Sequence, residues 1–116
     1  MRLLLLVLAV LGAVALLARF RPRVPAGAGA VAGKLAAGAA VVDVRTPAEY
    51  AAGHYDGARN IPLNELRARA GEVGSKDQAV VVYCASGARS AQAAEILKAA
   101  GFTNVTDAGG LANLPQ

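Results

Sequence analysis

The stretch Val80-Val81-Val82-Tyr83-Cys84-Ala85-Ser86-Gly87-Ala88-Arg89-Ser90 decides the fold class. A short run of β-branched residues, the composition of a buried strand, ends in the only cysteine. Small and polar residues follow, and then a helical pattern from Ser90 to Ala100. The reading is strand, tight loop and helix N-terminus, with a thiol at the strand's C-terminal end. In an open α/β sheet this edge is where ligands bind. A cysteine near a helix N-terminus has its thiolate stabilised by the macrodipole and by unpaired N–H groups.

The same alternation continues outward. Ala39 to Arg45 is a valine-rich run expected to be a buried strand. Thr46-Pro47-Ala48-Glu49 reads as a helix start, with Thr46 as N-cap, Pro47 at the first helical position and Glu49 closing a capping box. That helix stops at Gly53, and His54 to Arg59 is a loop. Asn60 to Leu63 is a brief extended segment, and Asn64 to Ala70 a helix capped by Asn64. The central strand is Ala79 to Cys84. The helix after it has Ala94, Ile96 and Leu97 as core candidates and Gly101 as its stop signal. Phe102 to Thr106 is expected as a last strand, Asp107 to Gly110 as a loop, and Leu111 to Gln116 as a marginally ordered tail. Upstream, Val31 to Ala37 is a short helix weakened by Gly33 and ended at Gly38, on an edge expected to be loose. The fold class is α/β: a small, mainly parallel β-sheet flanked by helices, preceded by one hydrophobic N-terminal helix.

Charge is unevenly placed. Arg2, Arg19, Arg21 and Arg23 precede Val24 with no acid among them, which leaves eight basic and eight acidic residues in the rest of the 116. The net charge of +4 therefore belongs to residues 1–23, and two Phe, three Tyr and no Trp interleave with no basic patch. Nucleic acid is not an expected partner. One cysteine excludes an internal disulfide and a multi-cysteine metal site. Leu3 to Ala18 carries no charge and would span about 24 Å as a helix. Residues 1–23 read either as a membrane anchor through residues 3–20 or as a signal segment cleaved after Ala13-Val14-Ala15. The arginines after the run favour the anchor, with the domain of residues 24–116 on the cytoplasmic side. The alternative is a periplasmic or exported domain.

Chemistry concentrates at Cys84. Ala85, Ser86, Gly87 and Ala88 have small side chains that leave backbone exposed, and Gly87 permits a turn with positive φ. Such a loop curls its N–H groups toward one spot, an anion nest above the sulfur. Arg89 beside a helix N-terminus opposes the macrodipole, so it wants either an anion in the loop or an acidic ion-pair partner. Ser86 and Ser90 are placed either to hydrogen-bond sulfur or to fill ordinary loop and cap roles.

Asp43-Val44-Arg45, Glu49-Tyr50, Gly53-His54, Gly57-Ala58, Asn60-Ile61-Pro62, Val82-Tyr83-Cys84, Gly87-Ala88-Arg89-Ser90 and Gly109-Gly110 occur in an order that resembles a single-domain rhodanese. The resemblance covers roughly Val24 to Leu114, and the layout is similar to the phage-shock-protein-E type. It implies a rhodanese-like fold in which Cys84 is the nucleophile. Cys84 would take sulfane sulfur from a small anionic donor, thiosulfate or a persulfide, and pass it to a thiol or cyanide acceptor. Ala85, Ser86, Gly87, Ala88, Arg89 and Ser90 would bind the substrate, with no metal and no organic cofactor. Asp43 and Arg45 would be structural beside the site, and His54 would lie in a structural turn, with general-base catalysis the lesser reading.

Cysteine phosphatases of related architecture place five residues between cysteine and arginine. Four separate Cys84 from Arg89, a shorter loop suited to a sulfur-centred substrate. A non-catalytic binding or redox-sensing module is the remaining alternative. The family's aromatic after the Gly-Gly pair is replaced here by Leu111-Ala112-Asn113-Leu114.

Overall fold

The computed structural model describes residues 25–115. The hydrophobic run from Leu3 to Phe20, and with it the anchor or signal segment, lies outside the described residues. Among the described residues no helix is long and apolar enough to cross a membrane.

Four strands, β1 (Ala40–Asp43), β2 (Arg59–Asn60), β3 (Val80–Cys84) and β4 (Val105–Gly110), form one sheet in the order β2-β1-β3-β4, every pairing parallel. Four helices, α1 (Ala28–Ala36), α2 (Pro47–Ala52), α3 (Leu63–Arg69) and α4 (Ala88–Ala99), flank it. All five residues of β3 are buried. Its alternate side chains enter two separate cores. Val80, Val82 and Cys84 pack with Leu66, Leu97 and Phe102, while Val81 and Tyr83 pack with Val31, Ala58 and Leu114. A strand covered on both faces has no polar side to show, which is why it reads as an unbroken apolar run.

Local chemistry sets the ends of these elements. The Thr46 hydroxyl accepts from the Glu49 N–H (3.2 Å) and the Glu49 carboxylate accepts from the Thr46 N–H (3.2 Å), so the capping box forms as expected. Gly38 and Gly101, just past α1 and α4, take φ of +87° and +102°, as helix-ending glycines do.

Several boundaries differ from the sequence expectation. Helix α4 begins at Ala88 rather than Ser90, because Gly87 at φ +109° turns the chain into it early. Within α4 the buried residues are Ser90, Ala93, Ala94 and Leu97, and Ile96 is half-buried. Strand β4 starts at Val105 and continues through the expected loop to Gly110. Gly109, at φ +76°, and a register shift opposite Val82 and Cys84 keep it paired, so that Cys84 faces Gly110. Phe102 belongs to the turn before it, with its N–H donating to Leu97 O at 3.0 Å. Helix α3 begins at Leu63 and Asn64 does not cap it; the Leu63 N–H is satisfied instead by Val44 O at 3.1 Å.

The two expected soft regions are packed. Val31 is fully buried, and the Ala26 N–H donates to Asp107 O (2.9 Å), fastening the start of the domain to β4. Leu114 is buried behind the single helical turn Leu111–Asn113. An aliphatic residue thus closes the core after the Gly-Gly pair without an aromatic.

Candidate active site

Cys84 ends β3 and is fully buried. Its Sγ lies 2.9 Å from the Gly87 N–H, which donates to it. Gly87 makes that contact possible. At φ +109°, ψ −19° it sits in a left-handed conformation that reverses the chain within three residues and aims its N–H back at the sulfur. Burial pushes the Cys84 thiol up, but the Ser90 hydroxyl and the N–H groups of Ser90, Gly87 and Ser86 together outweigh it and hold the pKa below the ordinary thiol value. The single hydroxyl proton of Ser90 serves either the Gly87 carbonyl, 3.0 Å away, or the sulfur. The thiolate is therefore held by the Ser90 hydroxyl and by N–H dipoles, with no cation among the groups that lower its pKa most.

This arrangement sets a pH dependence. A lowered pKa keeps the thiolate populated as pH falls below the usual thiol range of about 8.5. Alkylation of Cys84 by a small reagent is expected to follow a titration with its midpoint lowered from that of an ordinary thiol. Ser90→Ala removes one hydroxyl donor and is expected to move the midpoint up. An unshifted or lower midpoint in that variant would contradict the role given to Ser90.

The loop rests on β4. Gly110 has an ordinary extended backbone, φ −87°, so glycine is needed there for closeness and not for conformation. A Cβ on Gly110 would lie 2.5 Å from Ala85 O and 3.7 Å from Ser86 Cα. Backbone cannot yield as a side-chain tip does. Gly110→Ala is expected to cost about 1–3 kcal/mol in urea unfolding and to displace the loop above Cys84. An undisturbed stability and an unchanged alkylation rate would refute this packing.

Asp43 and Arg45 lie at the adjoining end of β1, both buried. The Asp43 carboxylate accepts from the Arg45 N–H (2.9 Å), from Arg45 Nη2 (2.7 Å) and from the Tyr83 hydroxyl (2.7 Å). Arg45 Nη2 also donates to Gly53 O (2.7 Å), and the Tyr55 N–H donates to the Tyr83 oxygen (3.0 Å). Burial first, and Asp43 next to it, push the Tyr83 hydroxyl up to about 12, so it is a neutral donor. Asn60 Nδ2 spans the carbonyls of Asp43 and Arg45, each at 3.0 Å. These bonds tie both ends of α2 and its following loop to β1 and β3.

Arg89 stands in the first turn of α4, and the acid that answers it is Glu49 on α2. Nη1 meets Oε1 at 2.6 Å and Nη2 meets Oε2 at 3.0 Å, a two-pronged pair. Arg89 first, and then the Thr46 N–H, hold the Glu49 carboxyl at about 2. A cleft of about 230 Å³ opens beside it, lined by Val44, Arg45, Thr46, Pro62, Leu63, Asn64 and Arg89. Ala85 and Ser86 are exposed on the loop, and Ala88 is exposed at the start of α4. The ring of His54 stacks on Tyr50 at 3.6 Å and its Nδ1 lies 2.8 Å from Tyr50 O, within its own turn. No group of three His, Cys, Asp or Glu side chains among the described residues is placed to hold a metal.

Sequence reasoning missed three of these residues. Glu49 was legible as a cap but not as the partner of Arg89, although a cation at a helix N-terminus asks for an acid. Tyr83 read as strand filling, and Gly110 as loop, although the Gly-Gly pair marked a place where backbones meet.

Comparison with known proteins agrees with this geometry. The Rhodanese-like domain model matches residues 28–113. A thiosulfate sulfurtransferase of Escherichia coli, PspE, is 47% identical over 74 residues, covering 63% of this chain and 71% of its own. A sulfurtransferase of Allochromatium vinosum is 45% identical over 65 residues, covering 56% of this chain and 60% of its own. Among solved structures, a rhodanese with anions from E. coli superposes with a TM-score of 0.61 at 46% identity, over 66% of this chain and 93% of that one. The human single-domain sulfurtransferase TSTD1 superposes with a TM-score of 0.66 at 27% identity, over 77% and 91%. With a family match over most of its length and the Cys84 loop built on a parallel sheet, this chain belongs to the rhodanese-like domain family.

Proposed function

We propose that this domain is a sulfurtransferase that moves sulfane sulfur from thiosulfate or a persulfide to a thiophilic acceptor through a persulfide on Cys84. The observation that carries the reading is the Cys84 sulfur at the floor of the loop, 2.9 Å from the Gly87 N–H. A thiolate at that point is nucleophilic and faces donors fixed before the reaction begins. The names borne by the relatives from E. coli and A. vinosum support the same class of reaction.

With thiosulfate, the thiolate attacks the outer sulfur and a new S–S bond forms to Cys84. The bond between the outer sulfur and the sulfonate breaks, and its electron pair leaves with sulfite. The charge on Cys84 moves to the terminal sulfur, where loop N–H groups replace lost water. Cyanide then attacks that terminal sulfur, the S–S bond to Cys84 breaks, and thiocyanate leaves as the thiolate is restored. The loop of four residues before Arg89 supports sulfur over phosphate as the centre it surrounds.

Thiocyanate formation from thiosulfate and cyanide by the full chain tests the proposal. Cys84-dependent turnover is the expected result. Inactivity with both thiosulfate and persulfide donors would instead favour a binding or redox-sensing module, and turnover of an aryl phosphate would favour phosphatase chemistry. For residues 1–23 the proposal is a membrane anchor with the domain of residues 24–116 on the cytoplasmic side, supported by the uncharged run and the arginines that follow it.

A further inference from the structure

The charges around Cys84 cancel in pairs. Arg45 is matched by Asp43, with Nη2 to Oδ2 at 2.7 Å, and Arg89 is matched by Glu49 through both guanidinium prongs. The remaining described basic residues sit elsewhere. Arg67 and Arg69 lie in the last turn of α3, away from its site end, and Arg59 pairs with Glu72. Lys34 and Lys98 are in the last turns of α1 and α4, and Lys76 lies over Phe102 in the turn between α4 and β4. A donor approaching the Cys84 thiolate therefore meets N–H dipoles and no uncompensated cation among the described residues. Thiosulfate brings two negative charges to that thiolate, whereas an organic persulfide with an uncharged R brings at most one, as R–S–S⁻, and none as the perthiol R–S–SH that reacts.

We infer that Glu49 is a specificity-determining residue: by occupying Arg89 it biases the site toward low-charge organic persulfides and against the thiosulfate dianion. This deepens the sulfurtransferase reading and rests on it. In the favoured step the Cys84 thiolate attacks the outer sulfur of R–S–SH. The S–S bond of the donor breaks, its electron pair leaves as R–S⁻, and Cys84 ends as Cys–S–SH. Charge and sulfur balance without an added oxidant or reductant. Glu49 is fixed for this role from two sides. Its Oε1 accepts from the Thr46 N–H and hydroxyl as well as from Arg89, so the cap of α2 aims the carboxylate at α4. The pair is also within reach of a donor, since the Arg89 and Glu49 side chains are 34% and 33% exposed.

The test compares kcat/KM for thiosulfate and for hydroxyethyl persulfide, with the full chain, in wild type, Glu49→Gln and Ala88→Lys. Glu49→Gln keeps an acceptor for Thr46 but releases the charge of Arg89. Ala88→Lys adds a cation on an exposed position of the first turn and leaves the ion pair alone. Wild type is expected to favour the persulfide. Each variant is expected to shift the ratio of the two constants toward thiosulfate by about tenfold at low salt, and by less at an ionic strength of ~0.5 M. The ratio is indifferent to a misfolded fraction, which scales both constants together. Wild type favouring thiosulfate, or both variants leaving the ratio unchanged, overturns the inference alone. Wild type that takes sulfur from neither donor overturns the sulfurtransferase reading and this inference with it.

Discussion

Cys84→Ser is expected to lower thiocyanate formation by at least ~10³-fold, with thiosulfate and with persulfide donors alike. The argument is one of chemistry and not of packing. A serine hydroxyl at this buried site still accepts from the Gly87 N–H, now 2.9 Å from sulfur, so the loop keeps its hydrogen bond. What is lost is a nucleophile that ionises near neutral pH and a sulfur that can carry a second one. The fold is expected to survive, with a loss of no more than about 2 kcal/mol in urea unfolding. Activity within tenfold of wild type in a folded Cys84→Ser protein would exclude Cys84 as the carrier.

Asp43→Ala is expected to be the most destabilising single substitution at the site, by about 3–5 kcal/mol. Asp43 is fully buried, and its carboxylate satisfies the Arg45 N–H, the Arg45 guanidinium and the Tyr83 hydroxyl. Alanine removes all of these acceptors at once. Arg45 is only 7% exposed and does not deprotonate, so its charge stays buried without its partner. Against a total stability of about 5–15 kcal/mol this is a large fraction. Adding Arg45→Met to Asp43→Ala removes the orphaned charge and is expected to recover part of the loss, a coupling that urea unfolding of both proteins measures. A cost below about 1 kcal/mol for Asp43→Ala would mean that the network does not hold β1, β3 and α2 together as described.

The sheet was legible in the sequence wherever burial left its mark. Strand β3 is covered on both faces, so its valine run has no competing reading. Helix α2 was legible through its cap, because Thr46, Pro47 and Glu49 act on their own backbone within one turn. Strand β4 was legible only at Val105 and Thr106, the end of the strand expected from Phe102 to Thr106. Asp107-Ala108-Gly109-Gly110 has turn composition, and it stays extended because Asp107 O accepts from Ala26 and Gly110 fits against Ala85, contacts that are remote in sequence. The same distance hid part of the site. Cys84, Gly87 and Ser90 are close in sequence, and their joint effect on the sulfur follows from spacing. Glu49 and Arg89 are forty residues apart, so spacing left Arg89 open between an anion in the loop and an acidic partner, and the fold brings Glu49 to it as that partner.

The most direct measurement of the central claim is the intact mass of the full chain after exposure to thiosulfate or hydroxyethyl persulfide and removal of excess donor. The expected result is a gain of one sulfur atom, located on the peptide containing Cys84, absent in Cys84→Ser, and lost on adding cyanide with release of an equal amount of thiocyanate. A folded wild-type protein that gains no sulfur from either donor, or a Cys84→Ser protein that gains as much, would contradict it.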